Sequence, residues 1–138
     1  MPDNPKRVLL VDDSALNRKL LEEALLGKGF AVTIAEDGQQ GLMLMTQEMP
    51  DIIVMDVVMP NMNGWEATRH MRSVAKTKAV PIILMTSKNT PHDMLAAFEA
   101  GADDFINKPI DLPELFEMMD KLLSKPNPAP AENANPAK

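Results

Sequence analysis

The chain has 138 residues, 45% of them hydrophobic, with 20 acidic and 14 basic side chains and a formal net charge of −6. That length suits a single domain able to bury a core, and the acidic balance, with a pI near 4.8, argues against nonspecific nucleic-acid binding and against an anionic membrane surface. Cysteine is absent, which excludes disulfides and thiolate metal sites; no apolar run approaches the ~18 residues of a membrane span and the N-terminus is polar and proline-broken, so neither a span nor a secretory signal is expected, and the expected location is the cytoplasm.

Residues 1–6 read as a frayed lead. Arg7-Val8-Leu9-Leu10-Val11 is an apolar run ending on Asp12-Asp13, the pattern of a buried strand. Ser14 caps a first helix, with Leu16, Leu20, Ala24 and Leu25 expected on its apolar face and Gly27 and Gly29 bracketing its end. A second strand is expected over Phe30–Ala35, with Val32 and Ile34 on one side, and Asp37-Gly38 turns into a helix that ends near Glu48, before Pro50. The next stretch organises the chain. Ile52 to Met55 is unbroken apolar sequence, as in a strand buried on both faces, and it ends on Asp56; Met59-Pro60 and Asn61-Met62-Asn63-Gly64 then break into a loop.

A third helix is expected from Gly64 to about Ala75, and a fourth strand over Val80–Met85, ending on Thr86-Ser87. A fourth helix runs from Pro91 to Gly101, and a short fifth strand covers Asp104–Asn107, followed by Lys108-Pro109. The last helix has an Asp111 cap, Pro113 in its first turn, Glu114 three residues after the cap, and an apolar face of Leu115, Phe116, Met119, Leu122 and Leu123. Five strands alternating with five helices imply an α/β fold, a parallel sheet covered on both faces. The domain is expected over residues 5–124, and residues 125–138, rich in Pro, Ala and Asn without apolar periodicity, as a disordered tail.

Asp12 and Asp13, Asp56, Thr86 and Lys108 each follow an apolar strand run, so a parallel sheet sets all five on one edge, where open α/β sheets bind ligands. Their types suit phosphoryl transfer to a carboxylate. Asp56 and an incoming phosphoryl group are both anionic, so attack needs charge neutralisation. Clustered carboxylates bind a hard divalent cation, a lysine supplies a compact positive charge, and a threonine hydroxyl can donate to a phosphoryl oxygen.

With these residues in place, the chain resembles the response-regulator receiver domain, the CheY-like family of two-component signalling, over roughly residues 5 to 124. Val11-Asp12-Asp13, Asp56 with Met59-Pro60 and Gly64, Thr86, and Phe105 three residues before Lys108-Pro109 carry the resemblance, in order. It implies a doubly wound, flavodoxin/CheY-like five-stranded sheet of order 2-1-3-4-5. It further implies Asp56 as phosphoacceptor and Mg2+ (or Mn2+) held by Asp13 and Asp56, by Asp12 largely through water, and by the Val58 backbone carbonyl. Lys108 would bind the phosphoryl group and precede a cis Lys108–Pro109 bond. Thr86 and Phe105 would be the switch pair that biases the helix 4, strand 5 and helix 5 face. The implied partners are a sensor histidine kinase or histidine phosphotransfer protein as donor and a downstream protein as target, with no direct nucleic-acid contact and no membrane insertion. A monomer or weak dimer is expected.

The sequence departs from the commonest family pattern. Phe105 has no hydroxyl. Val58 and Lys88, each two residues after Asp56 and Thr86, flank the path of hydrolytic water in the family; valine cannot orient a water, and slow dephosphorylation is expected. Taken singly, each signal has a plainer reading. Asp12 and Asp13 could favour a helix dipole, Asp56 could be a turn residue, Thr86 a turn cap, Lys108 a solvated surface residue and Phe105 a core aromatic. His70 and His92 lack ligand spacing and receive no role. The 12 methionines are read as core filler, with Met94 offered to a partner surface and Trp65 as a reporter near the site. Two rivals stand beside the stand-alone phosphorylated switch, which is not a turnover enzyme. A receiver-like scaffold would signal without phosphate. A phosphohydrolase with an aspartyl-phosphate intermediate would usually have an acid where this chain has Val58.

Overall fold

A computed structural model describes residues 5–59, 62–87 and 91–124. The expected lead lies partly outside this range, and the expected disordered tail over 125–138 lies wholly outside it, as do Pro60, Asn61 and Lys88. The apolar runs form β1 (Arg7–Val11), β2 (Ala31–Ala35), β3 (Ile52–Asp56), β4 (Ile82–Thr86) and β5 (Asp104–Asn107). The helices are α1 (Ala15–Gly27), α2 (Gly38–Gln47), α3 (Gly64–Ser73), α4 (Pro91–Ala100) and α5 (Leu112–Ser124). Every strand pairing is parallel, and the sheet order is β2-β1-β3-β4-β5. This is the expected doubly wound arrangement.

The pleat divides the core into two layers. Leu9, Val11, Ile53, Met55, Ile82 and Leu84 face one side, with Met45 of α2, Met71 of α3 and Ala97 of α4. Val8, Leu10, Ile52, Val54, Ile83 and Met85 face the other, with Leu21 and Leu25 of α1 and Leu115 and Met119 of α5. All five residues of β3 and all five of β4 are buried, as strands covered on both faces require. Each fully buried branched side chain contributes roughly 1.5–3 kcal/mol over its exposed state, so these two strands hold the centre of the fold.

Local chemistry sets the helix starts. Ser14 accepts from the Asn17 N–H and Asp37 from the Gln40 N–H, while Asn63 and Glu66 form a reciprocal capping box. Gly29, with φ of 95°, makes the left-handed turn that ends α1.

Four expectations are corrected. Leu16 and Leu20 do not face the core: they are 68% and 58% exposed, and α1 buries Leu21 and Leu25 instead. The two pairs share the same i, i+4 spacing, offset by five residues, which is about 140° around the helix. β2 begins at Ala31 rather than Phe30, because the Phe30 N–H donates to the Leu25 carbonyl of the helix end. β4 begins at Ile82 and includes Thr86. Pro81 has no N–H, the Val80 carbonyl is taken by Arg72, and the Ile82 N–H donates to Asp103 Oδ2. α3 ends at Ser73, two residues early, where the chain enters a turn closed by the Thr77 hydroxyl on the Met71 carbonyl.

Candidate functional site

The sheet order reverses direction at β1, whose neighbours are β2 and β3. The carboxyl ends of β1 and β3 therefore sit side by side at a topological switch point, where open α/β sheets form ligand crevices. β1 delivers Asp12 and Asp13 there, and β3 delivers Asp56. One carboxylate oxygen from each of the three lies within 4.8 Å of the others. β4 ends on Thr86, and Lys108 follows β5, its N–H donating to the Thr86 carbonyl at 2.8 Å. Its ammonium reaches Asp56 Oδ2 at 2.9 Å and Asp12 Oδ2 at 3.9 Å. The five residues singled out from the sequence thus converge on one edge. The Lys108–Pro109 bond is cis.

Burial differs among the acids. Asp12 is fully buried and Asp56 is 5% exposed, while Asp13 stands in solvent. Burial pushes the Asp12 carboxyl above the ordinary carboxylate range; the Ser14 N–H draws it back, Asp56 raises it, Lys108 lowers it and Asp13 raises it again. Asp12 Oδ2 is buried without a hydrogen bond among the described residues. A buried carboxylate oxygen without a hydrogen bond, on an acid clustered with two further carboxylates, is poised for a cation. The all-oxygen donor set matches a hard one such as Mg2+ or Mn2+.

The loop after β3 is shaped by contact with Asp56 itself. The Gly64 N–H donates to the Val57 carbonyl at 2.8 Å. A Cβ at Gly64 would meet the Asp56 carbonyl oxygen at 2.5 Å, so only glycine lets α3 begin this close to the end of β3. Val58 projects outward beside the site, 58% exposed.

Behind Thr86 lies a narrow cavity of about 10 Å3, lined by Val57, Trp65, Leu84, Thr86, Ala97 and Phe105 among others. Phe105 is half-buried at its edge and packs edge-on against Phe98 of α4. Trp65 packs against the same core layer, and its buried indole N–H has no acceptor among the described residues. On the opposite flank, an open groove of about 580 Å3 runs from Asp12 and Lys108 along Asn17, Leu20, Leu21, Pro109, Ile110 and Leu112. His70 and His92 are exposed, and neither belongs to the acidic cluster.

Two contributors were not legible in the sequence. Arg18 donates to the Asp12 carbonyl, a contact that no spacing rule signals. The exposed Leu16–Leu20 row was hidden because the same periodicity fits a buried face.

The family model described as the response regulator receiver domain matches residues 8–120. Protein PilH of Pseudomonas aeruginosa is 38% identical over 118 residues, covering 86% of this chain and 98% of PilH. Response regulator MprA of Mycolicibacterium vanbaalenii is 37% identical over 124 residues, covering 90% of this chain and 53% of MprA; the chain spans about half the length of that relative. Among solved structures, the chemotaxis response regulator CheY4 of Vibrio cholerae superposes with a TM-score of 0.82 at 29% identity, over 87% of this chain and 100% of that one. The receiver domain of a Pseudomonas aeruginosa sensor histidine kinase, solved with a magnesium ion coordinated in its active-site cleft, gives 0.82 at 30% identity over 88% and 99%.

Proposed function

The chain belongs to the response regulator receiver domains of two-component signalling, and on that premise we propose that it is a stand-alone switch that accepts a phosphoryl group on Asp56 from a phosphohistidine. PilH, matched over 98% of its length, supports the stand-alone form. The observation that carries the reading is the approach of the Lys108 ammonium to Asp56 Oδ2, 2.9 Å away among three carboxylates.

An Asp56 carboxylate oxygen attacks phosphorus as the bond to the donor imidazole breaks, and the released imidazole takes its proton from solvent. The attacking oxygen and the phosphoryl oxygens are all negative, so transfer depends on preorganised positive charge. Lys108 provides part of it as a compact ammonium. A Mg2+ or Mn2+ ion held by Asp13, Asp56, the Val58 carbonyl and, largely through water, Asp12 would neutralise the rest; the relative with magnesium in its cleft supports this. The Thr86 hydroxyl donates to a further phosphoryl oxygen. As Thr86 moves, Phe105 turns into the space behind it, which biases the α4–β5–α5 face between two populations. Met94, Leu95 and Phe98 are exposed on α4 and form the apolar part of the surface offered to a downstream protein.

The donor reaches the site over α1. Leu16 and Leu20 are exposed on that helix, and the groove between Leu20 and Ile110 opens on Asp12 and Lys108. An apolar helix face carrying the phosphohistidine fits this groove as a helix-in-groove contact. The test is phosphotransfer profiling against the histidine kinases of the source organism, read by intact mass, with Asp56→Asn as control. Gain of one phosphoryl group by the parent and none by Asp56→Asn is expected. Target binding that is equal in the parent and Asp56→Ala, with no phosphoryl gain from any kinase, would establish the phosphate-independent scaffold instead.

A further inference from the structure

Arg18 has no part in the transfer chemistry above, yet its guanidinium is tied to the most buried acid of the site. Asp12 is fully buried, and three of its four polar groups are engaged. Its N–H donates to the Ala35 carbonyl at 3.1 Å. Its Oδ1 accepts from the Ser14 N–H at 2.9 Å. Its carbonyl accepts from Arg18 Nη1 at 2.7 Å. Oδ2 alone lacks a hydrogen bond among the described residues, and it faces Lys108. Arg18 is itself anchored, its N–H donating to the Ser14 carbonyl at 2.9 Å as the first turn of α1 closes.

We propose that Arg18 is a positioning residue for the divalent-cation site. By holding the Asp12 carbonyl it fixes the peptide between β1 and α1. The Ser14 N–H on Oδ1 then sets the carboxylate rotation and leaves Oδ2 turned toward the cation. The inference rests on the reading that a divalent cation binds among the three acids. A hydrogen bond from a charged donor is short and strong, and groups that orient metal ligands alter metal affinity by about 10- to 100-fold when removed.

The sign of the effect separates this role from the alternatives. A guanidinium near a cation site repels the cation, so if Arg18 acted only as a charge, its removal would tighten binding. If it were only a surface residue, removal would change nothing. Positioning predicts that removal weakens binding.

The experiment is isothermal titration of Mg2+ alone into the unphosphorylated full chain, for the parent, Arg18→Met, Arg18→Gln and Arg18→Lys. Metal-free thermal unfolding of each protein reports folding. Arg18→Met, which keeps the apolar stem without the donor, is expected to raise the Mg2+ Kd about 10-fold. Arg18→Lys, which can still donate to the Asp12 carbonyl, is expected to recover most of that loss. Should Arg18→Met fail to fold, Arg18→Gln takes its place with the same expected direction. An unchanged or lower Kd in the folded variant overturns the proposal. Absence of Mg2+ binding in the parent would instead overturn the cation reading on which it rests.

Discussion

The ring of Phe105 on β5 meets the ring of Phe98 on α4 edge-on, with centroids 5.8 Å apart and planes at 80°. Such a pair is worth about 0.5–1.5 kcal/mol beyond its buried area. If Phe105 turns into the cavity behind Thr86 on phosphorylation, this contact breaks, so Phe98 favours the unphosphorylated population. A contact that stabilises one state opposes whatever stabilises the other, and the coupling is reciprocal. Phe98→Ala is therefore expected to speed phosphorylation by acetyl phosphate about 2- to 10-fold, the factor equivalent to the aromatic pair. Trp65 lines the same cavity, so its fluorescence can follow the reaction. A slower or unchanged rate would show that Phe98 does not hold Phe105 back.

Asp12 predicts a pH-dependent stability. Burial, the largest influence, raises its folded-state carboxyl above the ordinary range. The folded protein therefore holds that proton to higher pH than the unfolded chain does. Stability falls as pH rises from the ordinary carboxylate range through the raised value, and the loss is complete above it. Asp12→Asn removes the ionisation. Without metal, its Tm at neutral pH is expected to exceed the parent's by several degrees, and the difference should shrink as pH falls below the ordinary carboxylate range. Added Mg2+ should stabilise the parent more than the variant, which is expected to bind it less tightly. A lower Tm for metal-free Asp12→Asn at neutral pH would contradict the account.

Gly64 couples the start of α3 to the end of β3. A Cβ there would meet the Asp56 carbonyl at 2.5 Å and the Val57 Cα at 3.0 Å. Both are backbone atoms beside the site, and neither can give way without moving Asp56 relative to Lys108. Gly64→Ala is expected to cost about 1–3 kcal/mol in urea unfolding, as overpacking does, and to slow phosphorylation by acetyl phosphate even where the variant is fully folded. Parent-like stability would mean that the loop absorbs the methyl group.

Most of the polar edge was legible from one kind of signal: an apolar run on a buried strand, then a residue that cannot be buried without a partner. That pattern located Asp12, Asp56 and Thr86, Lys108 was found by its place after the short, partly exposed edge strand β5, and alternation of strands with capped helices yielded the layers. The α1 face was misread because Leu16, Leu20, Leu21 and Leu25 offer two equivalent stripes, and only docking on the sheet selects between them. The start of β4 was misread because Arg72 and Asp103, distant in sequence, take up the backbone groups of Val80 and Ile82. Contacts set by tertiary packing, such as Arg18 on Asp12, leave no local periodicity to find.

The exposed stripe on α1 yields a prediction about the donor. Leu20 is 58% exposed and lines the groove beside Ile110 and Leu112. Leu20→Arg places a charge where an apolar helix would dock and removes little from the core. Phosphotransfer from the cognate kinase is expected to slow by about 10-fold or more, as when an interface anchor is lost. Phosphorylation by acetyl phosphate should be unchanged, because that donor needs no docking surface. Equal slowing with both donors would place the effect in the site rather than in recognition.

If Asp56 carries a phosphoryl group, the lifetime of that state is expected to turn on what stands beside it. Val58 is 58% exposed there, and its side chain neither donates nor accepts a hydrogen bond, so it cannot hold a water in line for attack on the acyl phosphate. It also places apolar surface at the mouth of the site. A side chain that orients a nucleophilic water lowers the hydrolytic barrier by positioning and proton transfer, effects worth about 10²- to 10⁴-fold when fully expressed. Replacing Val58 by Asn supplies an amide, and replacing Lys88 by Glu supplies an acceptor on the segment after β4. The double variant Val58→Asn/Lys88→Glu is expected to shorten the phosphoryl half-life by roughly 10-fold or more, a fraction of that range because neither group evolved for this position. The measurement is loss of the phosphorylated mass with time after donor removal at fixed Mg2+. Equal half-lives would mean that lifetime is set elsewhere, in Lys108 and the cation, rather than by access and orientation of water at Val58.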